Sequence, residues 1–184
     1  MVINKSKKMI CMILATIIAI SSIVTGRIMT RAATEKGILT DFGMPGNVLL
    51  SSFGATSSTT LSYFAIKVGS DYYVSYCGDF WHSPVMNADI TEHEYTREEK
   101  INLNRVLTFG FSKKVTSGNM SNWTSKEKDA YWATQCAVWS ITEGDWDSKT
   151  KVTSHINSMA SQLAIDESYC KEYFWEIYNN TKVL

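Results

Sequence analysis

The chain has 184 residues with 18 basic and 18 acidic side chains. This balance gives no electrostatic footprint for nucleic acid. Once the leader described next is removed, about 150 residues remain, enough for one domain with its own core.

Lys5, Lys7 and Lys8 precede an apolar run from Met9 to Val24, and small and polar residues follow it. This is the layout of a secretory signal. Cleavage is expected after Gly26 or near Ala33, so residues 1–33 are assigned to the signal peptide and 34–184 to the mature domain. Loss of residues 1–26 removes three Lys and no acid, leaving 15 basic against 18 acidic residues. No other stretch is apolar enough to span a membrane, so no membrane contact is expected after signal removal. Cys11 goes with the leader, and Cys77, Cys136 and Cys170 remain. Three thiols cannot all pair internally, so an exported chain keeps one that is free.

From Gly37 to Phe80, β-branched and aromatic residues bounded by Gly and Ser predict strands. The clearest unit is a hairpin of Thr59 to Val68 and Asp71 to Cys77 around Gly69-Ser70. Ser51 to Thr60 is a loop or a weak edge strand. After Cys77 the apolar period lengthens to that of a helix, and four helices are predicted. Thr96 with Glu99, and Thr124 with Glu127, fit capping boxes. Gly110 and Gly144 stand where those two helices should end in a left-handed residue. A third helix, near Lys149 to Ile165, carries Val152, Ile156, Met159 and Leu163 on one stripe. A fourth follows Asp166 with Tyr169, Cys170, Tyr173, Phe174, Ile177 and Tyr178. Strands first and helices second, without βαβ alternation, predict an α+β fold. It has a small antiparallel, sandwich-like sheet part followed by a helical subdomain of about four helices.

Two residues stand out chemically. Gln135 is flanked one helical turn away on either side by Tyr131, Trp132, Val138 and Trp139, so its amide projects into an aromatic face. Cys77 sits where the last strand of the hairpin leaves for the helices. Alone, Cys77 reads as a small buried strand-end residue and Gln135 as a helix-surface amide. Trp132, Trp139, Tyr131 and Tyr173 read as core.

Tyr76-Cys77, the stretch Ile101 to Phe111 ending Leu107-Thr108-Phe109-Gly110-Phe111, and Thr134-Gln135-Cys136-Ala137-Val138-Trp139 together resemble the thioester domains of Gram-positive surface adhesins. Tyr76, Thr134, Ala137 and Trp139 are the residues that support the motif around Cys77 and Gln135. The resemblance implies a side-chain thioester between Cys77 and Gln135 at the junction of sheet and helices. It also implies a virulence-type adhesin tip that couples covalently to an amine, such as a Lys, on a host surface or matrix protein, fibrinogen among the family's targets. A single-turnover covalent binder, monomeric and without metal or other cofactor, is therefore expected rather than an enzyme. The chain shows no Leu-Pro-x-Thr-Gly signal before Leu184 and no returning strands after the helices. A secreted or cell-surface domain with an open sheet edge is expected.

The chemistry is sound on its own terms. A carboxamide is a poor electrophile, but a thiol held in near-attack geometry gains an effective molarity of about 10⁵ to 10⁸ M. Asp79, His82 and His93 are the nearby candidates for a base toward the incoming amine. Cys136 is a second thiol beside Gln135, and a Cys136–Cys170 disulfide would neutralise it. Two other readings compete. A cysteine hydrolase would use Cys77 with His82, His93 or His155 as base, and a non-covalent binding module with ordinary thiols would keep its partner after Cys77→Ala.

Overall fold

The computed structural model describes residues 38–41, 46–81, 95–115 and 122–182. The leader assigned to residues 1–33, together with His82 and His93, lies outside them. Among the described residues there are six strands: β1 Ile38–Asp41, β2 Gly46–Val48, β3 Thr59–Leu61, β4 Phe64–Val68, β5 Asp71–Ser75 and β6 Lys114–Val115. The same residues hold four α-helices, α1 Arg97–Phe109, α2 Ser125–Thr142, α3 Lys149–Leu163 and α4 Glu167–Lys182. The fold is α+β, with four strands in the order β1-β4-β5-β6 and β2-β3 as a separate pair, every pairing antiparallel.

The β4–β5 hairpin turns at Gly69-Ser70, with Val68 opposite Asp71. Gly69 has φ +61°, the positive value that a tight hairpin turn demands. The long first arm expected from Thr59 to Val68 is broken in two at Ser62-Tyr63. Tyr63 turns inward there to pack on the rings of Trp123, Tyr131 and Trp132, and burial pushes its hydroxyl up to about 12. β3 therefore pairs with β2 rather than extending the hairpin. The second arm stops at Ser75, short of the expected Cys77. Ser51–Phe53, expected as loop or edge strand, is a 3₁₀ turn that buries Phe53. β6 is a returning strand that sequence reading missed, and it lies along β5 at Tyr72 and Tyr73.

Both capping boxes are made. Thr96 Oγ1 accepts from Glu99 N–H while the Glu99 carboxylate accepts from Thr96 N–H, and Thr124 and Glu127 repeat the exchange. Gly144 has φ +75°, the left-handed helix end expected of it. Gly110 does not: its backbone is extended. Glycine is required there by crowding, because a Cβ would lie 2.5 Å from Thr134 Cγ2 and 2.6 Å from the Val106 carbonyl oxygen.

α2 is the axle of the molecule, with every residue from Asp129 to Ile141 buried. A helix enclosed on all sides must be packed all round, and α1, α3 and α4 surround it. α3 buries Val152, Ile156 and Met159, and α4 buries Cys170, Phe174 and Ile177. Each such large apolar side chain contributes about 1.5–3 kcal/mol of burial. Among the described residues, no helix is long and apolar enough to cross a membrane.

Candidate functional site

The site lies where β5 gives out. Past Ser75 the strand can no longer pair with β4, and the next two residues are drawn onto α2 instead. Tyr76 is fully buried, its ring stacked on Tyr131 with centroids 5.0 Å apart. The Tyr131 hydroxyl donates to the Ser75 carbonyl at 3.1 Å and accepts from Phe64 N–H at 3.2 Å, binding the ends of two adjacent strands to α2. Tyr131, Thr134 and Gln135 are spaced three and four residues apart, so all three work on one side of the helix.

Gln135 comes next on that side. Its Oε1 accepts from Cys77 N–H at 2.9 Å and its Nε2 donates to the Cys77 carbonyl at 2.7 Å. The side-chain amide thus pairs reciprocally with the backbone of Cys77. Gln135 is 1% exposed and Cys77 5%, and this pairing satisfies both buried polar groups without water. The Cys77 thiol donates to the Asp79 carbonyl at 3.0 Å.

A cavity of about 70 Å³ opens over the pair. It has room for a few waters or the end of an extended side chain. Phe80, Trp81, Trp132 and Trp139 give it aromatic walls, and Asp79 and the β3 residues Thr59 and Thr60 contribute polar ones. Trp81 is 55% exposed at the rim. Its indole N–H donates to Glu143 at 2.9 Å and its backbone N–H to the Asp79 carboxylate at 2.8 Å, so the ring is tied to the C-terminal end of α2.

The expected site residues are thus partly gathered and partly scattered. Cys77, Gln135, Asp79 and Trp139 meet at the cavity, so Trp132, expected as core, and Trp139, expected as core and motif support, also form its walls. Tyr76 and Thr134 flank the pair from behind, and Ala137 is buried in the core. Cys136 and Cys170 are free thiols, so the disulfide weighed for them is not formed here. Burial pushes both up, Cys170 to about 12, and Cys170 donates to the Asp129 carbonyl at 3.4 Å.

His155, the one histidine among the described residues, is 1% exposed but does not line the cavity. Its Nε2 lies 3.1 Å from the Asp145 carboxylate, and its ring stacks on Phe53 at 3.6 Å. Burial lowers its pKa despite Asp145, which opposes the shift. The hydrolase reading therefore has no described histidine beside Cys77. No group of three or more His, Cys, Asp or Glu among the described residues is placed to hold a metal ion.

Sequence reasoning missed Phe80, Trp81 and Glu143. An indole four residues after Cys77 was a legible signal, whereas Glu143, 62 residues from Trp81, left none. A family model described as a thioester domain matches residues 74–182, more than half of the chain. No curated protein and no solved structure matches it.

Proposed function

The chain belongs to the thioester domain family, and from that membership we propose that Cys77 and Gln135 condense into an internal thioester that captures a partner amine covalently. The observation that carries the proposal is the reciprocal pairing of the Gln135 amide with the Cys77 backbone in a nearly dry site. In the first step Cys77 Sγ turns from the Asp79 carbonyl and attacks Gln135 Cδ, forming the S–Cδ bond. Negative charge grows on Oε1, where Cys77 N–H already donates. A donor placed in this way typically contributes about 10²–10³ in rate. The thiol proton passes to Nε2, the Cδ–Nε2 bond breaks, and ammonia leaves.

In the second step a neutral amine attacks the same carbon, the Cδ–S bond breaks, and the proton lost by the amine returns the Cys77 sulfur to a thiol. An amide then joins Gln135 to the partner. Because the glutamine acyl group is consumed, the domain acts once and is not a turnover catalyst. The aromatic walls favour an unbranched alkyl chain over water. A Lys amine is neutral only about once in 10³ molecules at pH 7, and the Asp79 carboxylate is the proposed acceptor of its proton. Family membership and the leader motif support export to the cell surface and an adhesin role, with a host protein amine, fibrinogen included, as target. Closure of the Cys77–Gln135 loop stabilises the fold by about 4 kcal/mol if it acts as a disulfide of that span does.

Intact mass under non-reducing conditions tests this reading. Wild type should be lighter than its sequence mass by one ammonia, Cys77→Ala and Gln135→Ala should show the full mass, and methylamine should add one equivalent to wild type alone. Full sequence mass in fresh wild type, with Cys77 freely alkylated, would sink it.

A further inference from the structure

Three stretches singled out in the sequence, Tyr76, Gly110-Phe111 and Thr134, have no part in the chemistry just described, yet they converge on the backbone of one residue, Phe111. Thr134 Oγ1 accepts from Phe111 N–H at 2.9 Å while donating to the Ala130 carbonyl at 2.9 Å. The Phe111 carbonyl accepts from the buried Tyr76 hydroxyl. Both polar groups of residue 111 are therefore held, one by the residue before Gln135 and the other by the residue before Cys77. The α1 terminus can come this close only because position 110 has no Cβ, which would strike Thr134 at 2.5 Å.

We propose that Tyr76 and Thr134 are positioning residues that act through the backbone of Phe111 as a brace, fixing where Cys77 sits along the side of α2 that carries Gln135. The inference rests on the thioester reading and deepens it. Each hydroxyl adjoins one reacting residue and touches neither reacting atom. The backbone between Tyr76 and Cys77, and between Thr134 and Gln135, is a single peptide link, so a shift of either hydroxyl moves a reacting group with it. A displacement of about 1 Å in a near-attack pair is enough to cost on the order of 10²-fold in rate. The Thr134 hydroxyl spends its one proton on the Ala130 carbonyl while accepting from Phe111 N–H, and the two bonds together favour one rotamer.

The test starts from the full chain recovered unfolded in denaturant, where Cys77 is a thiol and Gln135 an amide. On dilution, refolding is followed by circular dichroism and ammonia loss by mass. Thr134→Val and Tyr76→Phe should regain the wild-type spectrum yet lose ammonia about tenfold to hundredfold more slowly, and Thr134→Ser should recover most of the rate. In the Thr134→Val, Tyr76→Phe double variant the slowing should be less than the product of the two, since both act on the backbone of one residue. Unchanged rates in the folded single variants, or strictly multiplicative slowing in the double, would overturn the brace. If Thr134→Val does not refold, Tyr76→Phe decides alone, since it removes one oxygen and keeps the ring. Wild type that never loses ammonia would instead overturn the thioester reading, so the two failures are distinct.

Discussion

Two glutamines in this molecule make the same pair of bonds. Gln135 on α2 pairs with the backbone of Cys77. Gln162 on α3 pairs with the backbone of Leu49, accepting from its N–H at 2.6 Å and donating to its carbonyl at 2.8 Å. Each ties a departing strand to a helix, so the bonding pattern is a docking device before it is anything else. The settings differ. The α2 dock is buried, lies beside a cavity and grips a residue that carries a thiol, whereas the α3 dock is exposed and grips a leucine. On the proposed thioester reading, what sets the α2 dock apart is the thiol and the exclusion of water, not the hydrogen bonds. Burial alone does not supply reactivity either, since Cys136, next in sequence to Gln135, is fully buried and its thiol is pushed up by that burial.

The largest expected contrast separates the thiols. In folded Gln135→Ala, iodoacetamide should label Cys77 through the cavity while Cys170 waits for denaturation. With Cys170 at about 12 against the ordinary 9.0, its thiolate is scarcer by roughly a thousandfold at neutral pH. Equal labelling rates at the two sites, read by peptide mapping, would break the comparison.

The two docks should next differ in stability. In a Cys77→Ala background, where no cross-link forms, Gln135→Ala leaves a buried N–H and a buried carbonyl unpaired and should cost about 2–4 kcal/mol in urea unfolding. Gln162→Ala exposes its partners to water and should cost about 1 kcal/mol or less. Similar losses would mean that the α2 dock is no drier than the other.

The smallest effect is a pH dependence confined to the α3 side. His155 on α3 stacks on Phe53 and is held below the ordinary 6.5, chiefly by burial. A histidine with a depressed folded pKa binds fewer protons folded than unfolded, so stability should fall as pH drops through about 6.5 and level off below the folded value. Asp145 adds a second loss at lower pH. Burial raises its pKa, but the Lys151 and His155 hydrogen bonds outweigh that and hold it low. Thermal melts between about pH 7.5 and 5.5 should show the slope in wild type and a flatter line in His155→Gln. A slope untouched by the substitution would assign the titration elsewhere.

Much of this was legible in the chain, where the signal is local. The capping boxes at Thr96 and Thr124, the hairpin turn at Gly69 and the core stripe of α3 each depend on residues a few positions apart. The Cys77–Gln135 pairing was legible only through the motif pieces, because 58 residues separate the two. What escaped was decided by tertiary contact. The strand break at Ser62-Tyr63 follows from an aromatic cluster contributed by α2 and Trp123. β6 has two residues, too few for any periodicity. Gly110 was placed correctly at a helix end but for a different physical reason, a close approach to a threonine 24 positions later.

The span between Cys77 and Gln135 has a mechanical side as well. A bond between them, 58 positions apart, would shunt a pulling force past the stretch in between, about 200 Å of chain that could not be drawn out. Capture of an amine would reopen that loop and move the load-bearing point onto α2 itself. The most enclosed helix of the molecule would then carry the tether, and its packing on α1, α3 and α4 would set the force at which the grip fails.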